Sequence, residues 1–172
     1  MSTHTIVLMR HGPAEEREAW AGKPDSERPL TPEGEKRVRK IARAMDRLGL
    51  EIARIWSSSY ERALETAKLV REHGAYDVPL EVSSVLTPEQ DPGAALDKLL
   101  PEDAEGCSLW VGHEPNLSLV IERVAFRGRA SGSFSLRKGG LCCLEVVKEK
   151  GRVSGELRWL LTPKLLVRIG DA

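Results

Sequence analysis

The chain has 172 residues, the size of one ordinary domain, and 41% of them are apolar, so a sizeable core can be buried. The 26 Lys and Arg residues balance the 26 Asp and Glu residues, which argues against a protein that binds nucleic acid mainly through bulk positive charge. No apolar run approaches the roughly 20 residues of a membrane span, and the N-terminal residues lack the pattern of a signal peptide. We therefore expect one cytoplasmic domain over residues 1–172, with neither a membrane nor a nucleic-acid partner.

The predicted elements alternate between short apolar strands and helices with apolar residues at helical spacing. Thr31 and Pro32 are typical of an N-cap and a first helical position, and Gly49 is typical of a helix end. In chain order we expect strand 6–9, helix 32–48, strand 52–56, a helix capped by residues 57–59 and ending near 74, strand 78–82, helix 94–100, strand 107–111, helix 115–126, and strands 141–148 and 153–161. Residues 84–92 are expected to be irregular and residues 127–140 to be a mobile loop, while the short tail can return along the sheet.

The order of these elements predicts an α/β fold. Strands that alternate with helices form a mostly parallel sheet with helices on both faces. The turn at Lys150-Gly151 is so tight that the last two strands must run antiparallel to each other. The three cysteines include no CxxC pair, and their odd number predicts neither a disulfide framework nor a structural zinc site. Cys142 and Cys143 are expected to pack as buried apolar residues.

Three strand ends carry residues that are unusual at such positions. Arg10 and His11 follow the first strand, Arg62 comes shortly after the second, and His113 follows the fourth. Because ligands of open α/β sheets bind outside the carboxyl ends of the strands, we expect these side chains to converge. Two guanidinium groups and two imidazoles make a concentrated cationic pocket, which suits a phosphoryl group because arginine forks match its oxygens. The backbone amides around Glu114, at the start of the next helix, are expected to add further donors.

Each of these residues also has an ordinary structural interpretation. Arg62 would lie in the first turn of its helix, where the helix dipole disfavours a cation, and such exceptions tend to mark functional sites. The same side chain could instead pair with Glu61, Glu65 or another exposed acid. A histidine after a strand, such as His113, is often a hydrogen-bonded core residue, and Arg10 could cap a loop. The chain contains no Walker A sequence, and no GxGxxG motif follows the first strand, so nucleotide binding of those types is unsupported.

Four ordered motifs resemble those of the histidine phosphatase (phosphoglycerate mutase-like) superfamily. They are Leu8-Met9-Arg10-His11-Gly12, Arg28-Pro29-Leu30-Thr31-Pro32-Glu33-Gly34, Ser57-Ser58-Ser59-Tyr60-Glu61-Arg62-Ala63-Leu64-Glu65-Thr66-Ala67 and Val111-Gly112-His113-Glu114-Pro115. In the third motif, Ser59 stands where the family pattern has Pro, and Glu65 where it has Gln. The short chain and Leu86-Thr87-Pro88 are most similar to the SixA-type phosphohistidine phosphatases, minimal members without the helical insertions of the mutases.

The resemblance implies a three-layer α/β/α sandwich with a mostly parallel central sheet and an antiparallel strand near one edge. It also implies covalent catalysis without a metal or other cofactor, in which neutral His11 attacks phosphorus and water hydrolyses the resulting phosphohistidine. Arg10, Arg62 and His113 would hold the phosphoryl oxygens and stabilise the charge of the transition state. The partner implied by SixA-type enzymes is a phosphorylated protein, such as a phosphohistidine-containing signalling domain, and the alternative partner is a small phosphorylated molecule.

Three further candidates depend on weaker matches. Glu89 is the candidate general acid, because its carboxyl group lies near where larger family members place a Glu, but it is otherwise a solvated loop residue. Arg17 stands about where mutases often place a phosphate-binding Asn, and it either adds positive charge at the pocket mouth or lies on the surface. The basic segment 127–140 is either a lip that grips a phosphorylated protein or a polyphosphate chain, or a solvated connector.

Three other functions remain open at this point. One is a phosphatase for small phosphate esters or polyphosphate, and another is a module that binds phosphate or phosphohistidine without catalysis, which the missing general acid motivates. A metal hydrolase built on His11 and His113 is the third. A phosphoramidate leaving group is readily protonated and needs less help from an acid than an alkoxide, which favours phosphohistidine as the substrate.

Overall fold

The strands and helices follow the alternation expected from the sequence. The computed structural model describes residues 3–102, 104–129 and 132–172, and these residues form six strands and five α-helices. In chain order the elements are β1 (His4–Arg10), α1 (Pro32–Arg47), β2 (Arg54–Ser57), α2 (Glu61–His73), β3 (Leu80–Val82), α3 (Pro92–Leu99), β4 (Gly106–Gly112), α4 (Asn116–Ala125), β5 (Leu141–Glu149), β6 (Arg152–Leu161) and α5 (Pro163–Asp171). Short 3-10 turns cover Asp25–Glu27 and Ser84–Leu86.

The six strands form one mixed sheet in the order β3-β2-β4-β1-β5-β6. Strands β1 to β4 are parallel, β5 is antiparallel to β1, and the edge strand β6 is antiparallel to β5. The register pairs Arg10 of β1 with Gly112 of β4, and Ser57 of β2 with Val111 of β4. The carboxyl ends of these three strands therefore lie side by side, and the α/β fold with an antiparallel strand near one edge is confirmed.

The central strand β1 is apolar on both faces, and its alternate side chains supply two separate cores. Val7 and Met9 pack in the core under α1, α2 and α5, whereas Ile6 and Leu8 pack in the core under α3 and α4. Helices therefore cover both faces of the sheet, which makes the three layers of an α/β/α sandwich.

The C-terminal tail differs most from the prediction. Instead of returning along the sheet, residues Pro163–Asp171 form α5, with Leu166 buried in the core. The helix lies against α1, where a Cβ atom on Gly170 would be 2.0 Å from the carbonyl oxygen of Lys40. Its start at Thr162-Pro163 repeats the Thr-Pro signal that marks the start of α1, so the helix had a local signature.

Two smaller predictions are corrected or limited by the structure. Ser59 does not cap α2, because the N-cap residue is Tyr60, whose backbone N–H donates to Ser58 Oγ at 3.2 Å. The described part of segment 127–140 contains no helix or strand, and residues 130–131 of that predicted loop lie outside the described residues. The three cysteines are free thiols, of which Cys142 and Cys143 are buried.

Candidate active site

The carboxyl ends of β1, β2 and β4 bring four of the predicted residues to one cavity. Just beyond the strands, the His11 backbone N–H donates to the Gly112 carbonyl oxygen at 3.0 Å, and the Ser58 N–H donates to that of Val111 at 2.9 Å. These bonds hold His11 and Ser58 against the end of β4, which His113 follows directly. Arg62 reaches the same place from the first turn of α2.

His11 is buried, and its two ring nitrogens have different partners. Nδ1 lies 2.7 Å from the Gly12 carbonyl oxygen, which can only accept, so Nδ1 carries the proton. Nε2 lies 3.3 Å from Arg62 Nε, which can only donate, so Nε2 carries the lone pair. Burial lowers the pKa of His11 to about 3, opposed by the Gly12 hydrogen bond and assisted by the charge of Arg62. The ring is therefore a neutral imidazole with Nε2 as its nucleophilic atom.

His113 lies beside His11, with the two ring centroids 5.2 Å apart. Its Nε2 is 2.8 Å from Ser58 Oγ, the same oxygen that accepts from the Tyr60 N–H. Its Nδ1 is buried and has no hydrogen-bond partner in the described part of the chain. Burial, followed by the nearby His11 and Arg62, lowers the pKa of His113 to about 2, so this ring is neutral as well.

The two arginines of the site are each anchored on one side. Arg10 Nη1 donates to the Leu136 carbonyl oxygen at 3.0 Å, while Arg10 Nε is buried without a partner among the described residues. Arg62 donates from Nη1 to the Asp25 carbonyl oxygen at 2.8 Å and from Nη2 to Asp25 Oδ2 at 3.0 Å. Arg62 therefore has both the structural and the site position expected from the sequence, since it pairs with an exposed acid and also contacts His11.

A cavity of about 240 Å³ is formed around these side chains. It is lined by Arg10, His11, Glu16, Arg17, Glu18, Arg28, Arg62, Pro88, His113, Glu114 and Lys138. Five of the lining side chains are cationic and three are glutamates. The excess of positive charge, together with the buried nitrogens of Arg10 and His113, makes the cavity suited to an anion.

Arg17 and Glu114 also line the cavity, which agrees with the first of the two interpretations of Arg17. The Glu114 carboxylate accepts hydrogen bonds from the backbone N–H and the hydroxyl of Ser118. Burial raises the pKa of this carboxyl, although the Ser118 hydroxyl and the charge of Arg10 oppose the effect. The role of the Glu114 backbone amide as a phosphate donor stays a prediction.

Glu89, the predicted general acid, lies outside this set of lining residues. Its exposed carboxylate accepts a hydrogen bond from the Tyr60 hydroxyl, and the Tyr60 ring lies 5.2 Å from that of His113. This hydrogen bond lowers the pKa of Glu89 and raises that of Tyr60 to about 12. A carboxyl group with a lowered pKa is ionised at neutral pH and has no proton to donate, so the structure does not favour Glu89 as the general acid.

Sequence reasoning missed four residues that build the site. Arg28 and Lys138 line the cavity, and Asp25 holds Arg62. The Thr66 hydroxyl accepts from the Gly12 N–H at 3.0 Å and donates to a backbone carbonyl oxygen of α2 at 2.6 Å, which ties the loop after β1 to that helix. Arg28 and Thr66 lie within the quoted motifs and could have been found there. Lys138 belongs to the segment predicted as a lip or a connector, and Asp25 had no local signal.

The positive charge of the cavity comes from arginine and lysine side chains. Among residues 3–102, 104–129 and 132–172, no group of three or more His, Cys, Asp or Glu side chains is placed to hold a metal ion. None of the helices that these residues form combines the length and the apolar character needed to cross a membrane.

Imidazole and guanidinium groups gathered at the strand ends of an α/β/α sandwich are suited to an oxyanion such as a phosphoryl group. Residues 6–102 match the family model of the histidine phosphatase superfamily (branch 1), and the chain belongs to this superfamily.

Relatives and solved structures agree with this assignment. An uncharacterized protein of Picosynechococcus sp. is 31% identical over 166 residues, which cover 94% of this chain and 98% of the relative. The structure of the protein histidine phosphatase SixA complexed with tungstate has a TM-score of 0.76 at 25% identity, covering 94% of this chain and 99% of that one. A phosphoglycerate mutase from Bacillus anthracis str. Sterne has a TM-score of 0.70 at 14% identity, covering 99% and 98%, and shows the likeness of fold alone. The resemblance to SixA-type members is confirmed, and phosphatase activity is supported.

Proposed function

We propose that this chain is a cytoplasmic phosphohistidine phosphatase, which removes the phosphoryl group from a histidine of a phosphorylated protein through a phosphohistidine intermediate on His11. One observation carries the proposal. His11 is held as the Nδ1–H tautomer by Gly12, with its Nε2 lone pair beside Arg62 in a cationic cavity. The likeness to a SixA structure that holds an oxyanion supports it further.

The phosphoryl group is bound by donors from three residues that line the cavity with His11. Arg62 offers its Nε and Nη2 groups, and Arg10 Nε and His113 Nδ1 are buried nitrogens without partners in the described chain. His113 Nδ1 is a donor when the Ser58 hydroxyl donates to Nε2 of the same ring. Donors of this kind stabilise the charge that develops on the phosphoryl oxygens, and the loss of one typically lowers kcat by roughly 10²–10³-fold.

In the first step the His11 Nε2 lone pair attacks phosphorus, and an N–P bond forms as the bond from phosphorus to the substrate imidazole breaks. The leaving nitrogen takes up a proton. The Glu114 carboxyl supplies it in our proposal, because it lines the cavity and burial raises its pKa. In the second step water attacks the phosphohistidine, its proton returns to the Glu114 carboxylate, and phosphate leaves a neutral His11.

The proposed mechanism uses no metal ion. Burial already keeps the His11 imidazole neutral, so its nucleophilic form does not depend on a metal ion. Arg10 and Arg62 supply the positive charge that phosphoryl transfer requires. Treatment with a chelator is therefore expected to leave turnover unchanged. A loss of activity that a divalent ion restores would point instead to a metal hydrolase.

The test of the nucleophile compares wild type, His11→Asn and a control, His73→Asn, which alters the last residue of α2 outside the cavity lining. Wild type and the control are expected to dephosphorylate a phosphohistidine peptide. Intact mass spectrometry after a rapid alkaline quench is expected to show one added phosphoryl group on each of them. His11→Asn is expected to do neither, and undiminished turnover by this variant would refute His11 as the nucleophile.

A phosphatase for small phosphate esters or polyphosphate is the second candidate. The observation that favours it is the surplus of cations, because Arg17, Arg28 and Lys138 line the cavity in addition to Arg10 and Arg62. A panel of P–N and P–O substrates separates the two candidates, since a strong preference for P–O compounds would reject phosphohistidine. Tungstate binding without turnover of any substrate, and without a trapped phosphoenzyme, would identify a binding module.

A further inference from the structure

Asp25 contacts two arginines of the cavity, and one of them, Arg62, also contacts the nucleophile His11. We propose that Asp25 is a positioning residue, which fixes the guanidinium groups of Arg62 and Arg28 in the orientation needed to receive a phosphoryl group. The inference rests on the proposed function for its catalytic consequence, but its effect on anion binding can be measured separately.

The contacts of Asp25 involve every acceptor that the residue has. Its Oδ1 accepts from Arg28 Nε at 2.8 Å, its Oδ2 accepts from Arg62 Nη2 at 3.0 Å, and its carbonyl oxygen accepts from Arg62 Nη1 at 2.8 Å. The side chains of Arg62 and Arg28 are only 3% and 7% exposed, whereas that of Asp25 is 43% exposed. A half-exposed carboxylate thus connects two buried cations.

The planar shape of a guanidinium group makes these contacts directional. Arg62 uses its Nη1–Nη2 edge for Asp25, while Nε on the adjoining edge points to His11 Nε2 at 3.3 Å. The five N–H bonds of arginine lie in one rigid fork, so fixing one edge fixes the other. Asp25 therefore aims the Nε–Nη2 edge of Arg62 at the space in front of the nucleophile, where a phosphoryl oxygen can be bound by two parallel hydrogen bonds.

The charge of Asp25 matters as much as its position. Arg62 and Arg28 repel each other, and the pKa of Arg62 is lowered by burial and by Arg28, an effect that Asp25 opposes. Hydrogen bonds and charge from both arginines outweigh partial burial and lower the pKa of Asp25, so its carboxyl is ionised at neutral pH. Without this carboxylate, each arginine would keep a backbone carbonyl as an acceptor, but no negative charge would lie between the two cations, and they would be expected to turn apart.

The backbone that carries Asp25 is itself held in place by the fold. The residue begins the 3-10 turn Asp25–Glu27, within the loop that joins β1 to α1. The loop is closed at its base, because Arg28 Nη1 donates to the Glu15 carbonyl oxygen at 2.6 Å and Ala14 forms a β-bridge with Leu30. The Asp25 carboxylate therefore lies on a loop whose two ends are joined by these contacts, which restricts the movement of the carboxylate.

The experiment compares Asp25→Ala and Asp25→Asn with matched changes of a neighbouring acid, Glu27→Ala and Glu27→Gln. Tungstate affinity is measured by calorimetry, and kcat and KM are measured with a phosphohistidine peptide. We expect Asp25→Ala to weaken tungstate binding and to lower kcat, each by about tenfold or more. Asp25→Asn, which keeps one oxygen acceptor, is expected to fall between this variant and wild type, and both Glu27 variants to match wild type.

Thermal unfolding separates positioning from a merely structural role. A structural role alone would lower the Tm of Asp25→Ala and leave tungstate affinity and kcat per folded molecule at the wild-type values, and this result would overturn the inference. Activity above that of wild type would overturn it too, because Asp25 would then be an inhibitory contact. If Asp25→Ala does not fold, Asp25→Asn decides by the same two measurements. If wild type hydrolyses no phosphorylated compound, the proposed function fails, while the tungstate affinities still decide the role of Asp25.

Discussion

Acidification is expected to destabilise the fold through the two histidines of the site. His11 and His113 are buried as neutral rings, and their pKa values are lowered from 6.5 to about 3 and about 2. In the unfolded chain both rings regain the ordinary value, so at any pH between the folded and unfolded values the unfolded chain binds more protons. The stability that depends on neutral rings is therefore complete above about pH 6.5 and is lost as the pH falls toward the folded values.

The loss of unfolding free energy follows from the difference between the pH of the experiment and the pKa of each ring in the unfolded chain. At about pH 5 each ring is about 1.5 pH units below its unfolded pKa, and at about 1.4 kcal/mol per unit this costs about 2 kcal/mol per ring. The two rings together would remove about 4 kcal/mol, a large part of the roughly 5–15 kcal/mol by which domains are stable.

Urea unfolding, followed by circular dichroism at neutral pH and at about pH 5, measures this loss. Wild type also loses stability through other groups, so the comparison with His11→Gln isolates one ring. We expect the free energy of unfolding of His11→Gln to fall by about 2 kcal/mol less than that of wild type on the same acidification. The control His73→Gln is expected to behave as wild type. Equal losses in wild type and His11→Gln would show that His11 is not held neutral in the folded state.

Three further predictions concern the backbone around the site. Thr66→Val removes the oxygen that accepts from the Gly12 N–H, and we expect urea unfolding to show a loss of about 1–3 kcal/mol, with a lower kcat; unchanged stability would contradict this. Glu65→Ala removes the carboxylate oxygen that lies 2.7 Å from the Leu30 backbone nitrogen, and we expect it to lower the free energy of unfolding by about 1–2 kcal/mol. Glu65→Gln, the family's own residue type, keeps an oxygen acceptor and is expected to match wild type. If both variants lose the same stability in urea unfolding, the Leu30 hydrogen bond is not the cause. Gly34→Ala places a Cβ atom 1.9 Å from a backbone carbonyl oxygen, so a Tm lower by about 5 °C or more is expected, and a wild-type melting curve would refute the clash.

The parts of the fold that could be predicted are those whose signals are local in the chain. The apolar run of β1 and the Thr31-Pro32 start of α1 report on neighbouring residues only, and both predictions are confirmed. α5 was missed although its Thr162-Pro163 start carries the same signal. Its 9 residues are too few for a helix that is stable by itself, and it forms because Leu166 packs in the core.

The site was predictable to the extent that strand ends determine position. Arg10 ends β1, His11 follows it and His113 follows β4, and the parallel register of these strands brings their ends together. Asp25 and Lys138 could not be found in this way, because both lie in irregular segments. Asp25 meets Arg62 across 37 residues of sequence, and no periodicity or motif relates an irregular loop to a helix over that distance.

The choice of proton donor shows why residue type and sequence position are insufficient for assigning chemistry. Glu89 and Glu114 are both glutamates that follow a strand or a turn near the site, and the sequence placed the acid on Glu89. The structure exposes Glu89 and gives it a hydroxyl donor, which lowers its pKa, whereas it partly buries Glu114 on the cavity wall, which raises its pKa. A proton donor at neutral pH needs the environment of Glu114, and the burial of a side chain depends on chain segments that are distant in sequence. A glutamate carboxyl group is therefore a solvated side chain at position 89 and a candidate general acid at position 114.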